Sequence, residues 1–339
     1  MATRTLTFSG AINEAMRLEM RRDPTVILMG EDVAGGATLP HMEGEGKEAW
    51  GGVLGVTKDL VTEFGRDRVL DTPISESSFI GAAVGAASTG LRPIAELMFV
   101  DFFGVCFDQV FNQGAKLRYM FGGKAQVPMV IRTMIGGGFR AAAQHSQSLY
   151  SIFTHIPGIK SVVPSTPYDA KGLLSAAIQD NDPVIFFEHK VLYGMEGEVP
   201  EDNYVIPLGV ADVKREGNDL TIVTLGRMVH FSLEAAEKLT GDGVEVEVVD
   251  LRSLSPLDEE TILASVRKTH RLIVVDEANP RCSIATDIVA LAAGQAFDYL
   301  DAPPTMVTAP HAPVPFSPVL EDAYLPSVDT IVATVQSLL

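Results

Sequence analysis

Cysteine and basic residues are scarce in this sequence, and both shortages narrow its possible functions. Cys106 and Cys282 are the only cysteines among 339 residues, so we expect neither a disulfide framework nor a cysteine-based metal site. Lysine and arginine number 26 against 44 aspartates and glutamates, which gives a formal net charge of −18. This charge disfavours nucleic acid and anionic membranes as partners. The negative charge is suited to binding a basic protein partner, or it simply keeps the protein in solution.

Long uninterrupted apolar runs are also missing. The most apolar long segment, residues 79–100, contains Arg92, Pro93 and Glu96, which a membrane-spanning helix would tolerate poorly. The N-terminus has no apolar core followed by a small-residue cleavage site. We therefore expect a cytoplasmic protein without a transmembrane segment.

Two nucleotide-binding signatures are absent as well. No Gly-x-Gly-x-x-Gly follows a predicted strand, and Gly136-Gly137-Gly138 is not followed by the Gly-Lys-Ser/Thr of a P-loop. A free-standing nucleotide-binding dehydrogenase is thereby disfavoured. Tight binding of NAD by the isolated chain would support that alternative again.

Apolar runs alternate with helical patterns along the whole chain, which is typical of βαβ units around mostly parallel sheets. We predict an α/β protein of two domains, residues 1–190 and 209–339, because the chain is too long for one ordinary core. Residues 191–208, with glycines and prolines among acidic residues, form the predicted linker. The predicted strands are 26–29, 93–97, 128–132, 161–163, 184–187, 220–225, 244–249 and 272–275. The predicted helices are 8–22, 76–89, 101–119, 168–180, 229–239, 258–268 and 284–297.

Two predicted loops of the first domain exceed the ~2–6 residues that usually connect such elements. Residues 31–56 carry several glycines and the only tryptophan, Trp50, and residues 133–147 carry His145. Both loops leave the carboxyl ends of predicted strands, where open α/β sheets bind ligands. From the residues alone, His145 is either an exposed loop histidine or a proton-transfer group.

The run Asp71-Thr72-Pro73-Ile74-Ser75-Glu76 leads into a helix rich in glycine and alanine. Ser75 is a suitable N-cap residue, and the small residues, Gly81 and Gly85 among them, leave one helical face almost bare. Glu76 lies in the first turn, where the helix dipole stabilises a carboxylate. Without further information it is either a surface glutamate or a group that points into an interface.

Ordered motifs along essentially the whole chain resemble the β subunit of the thiamine-diphosphate-dependent first component of 2-oxoacid dehydrogenase complexes. Within that family the resemblance is greatest to acetoin dehydrogenases, through Ala49-Trp50-Gly51-Gly52 and Tyr119-Met120-Phe121-Gly122-Gly123. The shared motifs include Leu28-Met29-Gly30-Glu31-Asp32, the 71–76 run, Gly90-Leu91-Arg92-Pro93, Phe107-Asp108-Gln109, Gln144-His145-Ser146-Gln147, His155-Ile156-Pro157-Gly158, Asp250-Leu251-Arg252 and Pro256-Leu257-Asp258.

The resemblance implies a transketolase-like pyrimidine-binding domain followed by a transketolase C-terminal-like domain. It also implies roles for four residues. Glu76 would bind N1′ of the cofactor's aminopyrimidine and favour its imino tautomer, Glu31 would lie near that ring, and Phe102 would lie against its face. His145 would lie beside the reacting substrate and transfer a proton.

The same resemblance implies partners and ions. Diphosphate and magnesium would be held by an α subunit in an α2β2 heterotetramer, so the active site would lie between two chains. Gly241-Asp242-Gly243 is then only a turn, although thiamine-diphosphate enzymes bind magnesium through a similar triplet. A structural potassium ion would be bound by backbone carbonyls at Met129, Ala177, Ile178, Asp180 and Asp182.

The activity implied is cleavage of acetoin, a small-molecule substrate, to acetaldehyde and a cofactor-bound hydroxyethyl unit. That unit would pass as acetyl to the lipoyl group of an acyltransferase component, which the second domain would help to contact. The nearest alternative is a β subunit acting on pyruvate or a branched-chain 2-oxoacid. A noncatalytic assembly subunit is another alternative.

Overall fold

The first domain is built on a mostly parallel sheet in a computed structural model of the chain, which describes residues 3–35 and 51–339. Within these residues the sheet has seven strands in the order β12-β6-β7-β5-β4-β2-β3, and only β12 runs antiparallel to its neighbour. Its strands are β2 (Val26–Gly30), β3 (Val69–Asp71), β4 (Arg92–Phe99), β5 (Val130–Ile135), β6 (Lys160–Val162), β7 (Val184–His189) and β12 (Ser253–Ser255).

Strands β2, β5 and β7 are fully buried and mostly apolar, since helices cover both faces of a parallel sheet. The principal helices of this domain are α1 (Phe8–Arg22), α2 (Leu60–Phe64), α3 (Glu76–Ser88), α4 (Phe103–Asp108), α5 (Leu117–Met120), α6 (Tyr150–Thr154) and α7 (Pro167–Gln179). Helix α1 begins where the sequence predicts, because the Thr7 hydroxyl accepts a hydrogen bond from the Gly10 amide.

The predicted continuous helix over residues 101–119 is wrong. A 3₁₀ turn, helix α4, a π-helical turn (Gln109–Gly114) and helix α5 follow one another there. Cys106 has non-helical backbone angles inside α4. The wider π-helical turn brings the Gln109 side chain against Gly81 of α3, where an added Cβ would lie 3.0 Å from Oε1. The break therefore accommodates the packing of the helix that begins at Glu76.

The second domain repeats the arrangement with a smaller sheet. In the described part of the chain it has five strands in the order β14-β13-β10-β11-β9, and only β9 is antiparallel. The strands are β9 (Asp212–Arg215), β10 (Leu220–Thr224), β11 (Val246–Asp250), β13 (Leu272–Asp276) and β14 (Thr305–Thr308). The helices are α8 (Met228–Thr240), α9 (Glu259–Thr269), α10 (Ile284–Gln295), α11 (Pro318–Tyr324) and α12 (Val328–Leu338). The α/β class with two mostly parallel sheets is confirmed.

The predicted linker contains regular structure. Strand β8 (Glu196–Pro200) lies inside it and pairs antiparallel with β1 (Thr3–Thr7) at the N-terminus. The sequence separation of the two strands explains why a local pattern did not reveal them. The boundaries 1–190, 191–208 and 209–339 remain a prediction.

The two domains share a packed interface. One apolar cluster includes Tyr150 and Phe153 from the first domain and Leu254 and Ile284 from the second. The Tyr150 hydroxyl also donates a hydrogen bond to Asp276. The two domains therefore form a single packed unit, and loops from both sheets can meet at their interface.

A buried ionic cluster adds to this interface. Asp169 of the first domain accepts hydrogen bonds from Lys214 at 2.9 Å and from Arg252 at 3.3 Å, both in the second domain. Ser165 donates to Asp250, whose carboxylate lies 3.7 Å from Lys214. Burial, followed by the charge of Asp169, raises the pKa of Asp250 to about 7. The native protein therefore binds a proton here more readily than the unfolded chain does.

We expect Asp250→Asn to change how stability depends on pH. Between pH 4 and 7 the native state of the wild type holds more protons at Asp250 than the unfolded state, so this site destabilises the protein as pH rises. Asparagine has no such titration. The thermal unfolding midpoint of the variant, measured relative to the wild type, should rise between pH 5 and pH 8. Asp242→Asn in an exposed turn is the matched control, and parallel pH dependences for all three proteins would contradict the expectation.

Candidate active site

Four neighbouring strands of the first sheet end at the same edge. Strands β3, β2, β4 and β5 are adjacent and parallel, so the segments that leave their carboxyl ends start side by side. Those segments carry Glu76, Glu31, Phe102 and His145, in that strand order. The four residues that the sequence singles out for cofactor and substrate therefore follow four consecutive strand ends, at the edge where α/β sheets bind ligands.

Glu31 directly follows β2 and is half-buried. Its Oε1 atom is buried and has no hydrogen-bond partner among the described residues. Burial raises the pKa of Glu31, and the carboxylates of Glu76, Asp32 and Glu96 raise it further. An unpartnered carboxyl oxygen at a ligand-binding edge is a suitable partner for a polar ring atom of a ligand.

Glu76 is the first residue of α3 and is half-buried. Ser75 is the N-cap residue, as predicted, but its hydroxyl makes a 2.9 Å hydrogen bond to the Ser78 hydroxyl and does not cap a backbone amide. The negative charge of Glu76 reaches Cys106, whose pKa is raised to about 12 mainly by burial. Glu76 therefore places a carboxyl group near Cys106, where the helix predicted over residues 101–119 is broken.

The face of α3 predicted to be bare has two parts. Gly81 is covered by Gln109 of the same chain, whereas a Cβ added at Gly85 would meet nothing within 4 Å. Within the described residues, the open part of this face is therefore the Gly85 end of the helix.

An aromatic cluster contains the imidazole of His145. The Phe99 ring lies edge-on to that imidazole at 4.8 Å between centroids, and the Phe102 ring does so at 5.5 Å. Phe99 and Phe102 are also edge-on to each other at 5.5 Å. The predicted pair Phe102 and His145 is thus in direct contact, and Phe99, which the sequence patterns did not single out, packs against both. A flat apolar surface beside an imidazole suits a planar ring and a small substrate.

The loop that carries His145 is closed at its base. The Gly136 amide donates to the Gln147 carbonyl at 3.1 Å, and the Gln147 side chain donates to Asp101 at 2.7 Å. Buried Lys190 donates to the Gly136 carbonyl, and burial lowers the pKa of Lys190 to about 8. Asp101 and Lys190 were both missed from the sequence, because their role depends on contacts between distant segments.

Gly136-Gly137-Gly138 serve close packing. A Cβ at Gly136 would lie 2.1 Å from the His189 ring, one at Gly137 2.9 Å from Leu325, and one at Gly138 2.3 Å from Arg227. Gly136 and Gly138 also have positive φ angles, of 95° and 86°. The triplet is required where the loop approaches strand β7 and the second domain.

A buried ionic group lies beneath the site. Arg132 donates to both oxygens of Glu188 at 2.6 and 2.8 Å, and to Glu96 at 2.8 Å. Tyr193 donates to Glu188 at 2.6 Å. Two carboxylates thus share one buried guanidinium, and burial raises the pKa of Glu96. Charged residues within otherwise apolar strands were the available sequence signal for this group.

The predicted potassium-binding residues lie together around the turn after α7. The Ile178 and Asp180 carbonyls accept hydrogen bonds from Arg92 at 3.1 and 2.8 Å. The Met129 carbonyl accepts one from the Val184 amide, and the Ala177 carbonyl accepts one from the Asp180 amide. The Asp182 side chain pairs with Arg118 at 2.6 Å. Most of these carbonyl oxygens therefore already accept one hydrogen bond. Because a carbonyl oxygen has two lone pairs, each can accept one further contact.

The remaining predictions concern a turn, the loop that contains Trp50, metal sites and membrane-spanning helices. Gly241-Asp242-Gly243 is the turn after α8, as predicted. Trp50 lies outside the described residues, as do Gly36, Gly44 and Gly46 of its loop. No group of three or more histidine, cysteine, aspartate or glutamate side chains could hold a metal ion within residues 3–35 and 51–339. None of the helices described there is long and apolar enough to cross a membrane.

Comparisons with known proteins agree with this fold. Residues 4–196 match the model of the transketolase pyrimidine binding domain, and residues 209–331 match the model of the transketolase C-terminal domain. A split-gene transketolase, described as an inactive β4 tetramer, has the same fold with a TM-score of 0.75, 21% sequence identity and coverage of 98% of both chains. Fold and site thus define a two-domain chain of the transketolase type.

Named relatives indicate which group of transketolase-type proteins this chain resembles. The β subunit of acetoin:2,6-dichlorophenolindophenol oxidoreductase from Bacillus subtilis is 68% identical over 99% of this chain and 98% of its own length. The protein of the same name from Cupriavidus necator is 64% identical, over 97% of this chain and 96% of its own. The pyruvate dehydrogenase E1 component β subunit of Bacillus subtilis is 46% identical over 98% of each chain.

The chain belongs to the family of β subunits of thiamine-diphosphate-dependent first components, which includes the acetoin and 2-oxoacid dehydrogenases. The resemblance drawn from the sequence motifs is confirmed. First components of this family use thiamine diphosphate, and the β designation implies an α partner. The roles of the individual site residues remain predictions.

Proposed function

We propose that this chain is the β subunit of a thiamine-diphosphate-dependent acetoin dehydrogenase. With an α subunit, in an α2β2 heterotetramer, it would cleave acetoin to acetaldehyde and pass an acetyl group to a lipoyl-bearing acyltransferase. The two relatives named for acetoin oxidation are 68% and 64% identical, whereas those named for pyruvate and 2-oxoisovalerate are 46% and 44% identical. This difference in identity favours acetoin over the 2-oxoacids.

The observation that carries the proposal is the arrangement of Glu31, Glu76, Phe102 and His145 after four adjacent strand ends. An aminopyrimidine ring presents hydrogen-bonding nitrogens at its edge and an apolar face. Glu31 offers a carboxyl oxygen that has no hydrogen-bond partner in the described part of the chain, and the ring of Phe102 offers an apolar surface. The residues present therefore fit the pyrimidine part of the cofactor.

In this proposal Glu76 binds N1′ of the aminopyrimidine and exchanges a proton there. When bound, thiamine diphosphate supplies a nucleophilic thiazolium carbon and accepts the electron pair released when the carbon–carbon bond of acetoin breaks. Glu31 lies near the same ring. Because its pKa is raised, the Glu31 carboxyl holds a proton more readily than an ordinary glutamate does. The two carboxyl groups would thus bind the ring and set its protonation.

His145 is the residue we assign to proton transfer with the substrate or the lipoyl sulfur. Its ring is held on two edges by Phe99 and Phe102, which restricts its orientation. The two half-buried rings also cover that side of the imidazole. A positioned imidazole of this kind contributes typically ~10²–10⁴-fold to rate.

The diphosphate and magnesium belong to the α subunit in this proposal. The residues described here include no acidic cluster suited to a metal, and Gly241-Asp242-Gly243 is a helix-terminating turn in the second domain. A structural potassium ion at Met129, Ala177, Ile178, Asp180 and Asp182 is proposed as well. It would use the carbonyl lone pairs that Arg92 and the backbone amides leave free.

Glu76→Gln should abolish most of the activity of the assembled enzyme. Glutamine keeps the size of the side chain but cannot exchange a proton with N1′, so acetoin turnover should fall a hundredfold or more, within the ~10²–10⁴ range of acid–base contributions. Turnover is measured with the α subunit, thiamine diphosphate and an artificial electron acceptor. Glu234→Gln, on the exposed side of α8, is the control and should retain wild-type turnover. Unchanged activity in Glu76→Gln would favour the noncatalytic assembly alternative.

Substrate choice is tested separately on the unmodified enzyme. The assembled α and β subunits are assayed with acetoin, pyruvate and a branched-chain 2-oxoacid at matched concentrations. We expect the highest kcat/KM for acetoin. Turnover of pyruvate without turnover of acetoin would refute the proposed substrate and leave the family membership intact.

A further inference from the structure

Loop 136–147, which carries His145, is held by the second domain as well as by its own base. The fastening group is the carboxylate of Glu321 in α11, which is completely buried. Its Oε1 accepts the Gly138 amide at 2.7 Å, and its Oε2 accepts the Arg140 amide at 3.2 Å. The Arg140 guanidinium donates to the same Oε2 at 2.8 Å. One carboxylate thus satisfies two backbone amides and a cation of a single loop.

The loop needs such a fastening because its backbone is strained. Arg140 and Ala142 have positive φ angles, of 62° and 60°, a conformation that side-chain-bearing residues rarely adopt. Two of the hydrogen bonds to Glu321 come from Arg140, which is the first of these strained residues. The Ala142 carbonyl, at the second, accepts the His145 amide at 3.3 Å. Glu321 is therefore linked to the His145 backbone through one short, constrained segment.

Packing alone does not fix the loop. On one side a cleft of about 270 Å³ separates Ala143, Gln147 and their neighbours from the second domain. The glycine triplet is in close contact with His189, Leu325 and Arg227. In the segment that follows the triplet, the hydrogen bonds to Glu321 add to these contacts in fixing the backbone.

We propose that Glu321 is a positioning residue, which holds the backbone of loop 136–147 so that His145 stays at the reaction centre. This inference rests on the proposed function, in which His145 transfers the proton. It assigns to the second domain an indirect part in the chemistry of the first. Glu321 contacts neither substrate nor cofactor, and it acts through the loop.

The test uses the complete α2β2 enzyme with Glu321→Gln, which retains size but replaces one acceptor oxygen with a donor. We expect kcat for acetoin to fall about tenfold to a hundredfold with little change in KM, since small displacements of a catalytic group have effects of this size. Trypsin should also cleave faster after Arg140. Asp322→Asn is the matched control, because it removes only the exposed partner of Arg140 and should leave both rates near those of the wild type.

A double-mutant cycle separates positioning from general structural damage. If Glu321 acts through His145, adding Glu321→Gln to His145→Asn should cause no further loss of kcat. An equal loss in both backgrounds, or a kcat for Glu321→Gln within about twofold of wild type, would overturn the proposal. Full acetoin activity in His145→Asn would refute the proposed role of His145 and, with it, the catalytic effect assigned to Glu321.

Hydrogen exchange on the unmodified enzyme provides a test that depends on neither folding of a variant nor turnover. The amides of Gly138 and Arg140 should exchange slowly although they lie in a loop. Rapid exchange at both amides would overturn the anchoring by Glu321. Slow exchange in an enzyme that does not turn over acetoin would support the anchoring and reject the proposed function.

Discussion

The parallel alignment of strands β3, β2, β4 and β5 is the constraint on which the candidate site depends. Because these strands are adjacent and point the same way, the chain segments that follow them begin next to one another. Residues as distant in sequence as Glu31 and His145 are thereby brought to one edge. The buried strands supply the rigidity, and the loops supply the chemistry.

Charge is the second physical property of this site. Glu76 and Glu96 lie close enough to Glu31 to raise its pKa, while the buried guanidinium of Arg132 is shared between Glu96 and Glu188. The excess of carboxylates, together with burial, keeps the pKa of Glu31 above its usual range. Such a site is suited to holding a proton on a ligand nitrogen and returning it. In the proposed function, the α subunit would complete the site and supply the positive charge for a diphosphate.

Much of the fold could be predicted from the sequence because its signals are local. Apolar runs such as Val26–Gly30 and the capped helix Phe8–Arg22 agree with the structure to within about a residue. The broken helix around Cys106 could not be predicted, since its break is set by packing against α3. Strand β8 was missed because its partner lies almost two hundred residues away at the N-terminus. The four residues of the candidate site came from family motifs, whereas Phe99, Lys190 and Glu321 matter only through long-range contacts.

A structure of the αβ assembly with thiamine diphosphate bound is the most direct test of this account. The account predicts that N1′ of the aminopyrimidine lies about 3 Å from a carboxyl oxygen of Glu76, with Phe102 against the ring and His145 facing the thiazolium side. The diphosphate and magnesium should contact the α subunit. A pyrimidine ring bound away from Glu76, or a complete cofactor site within this chain alone, would contradict it.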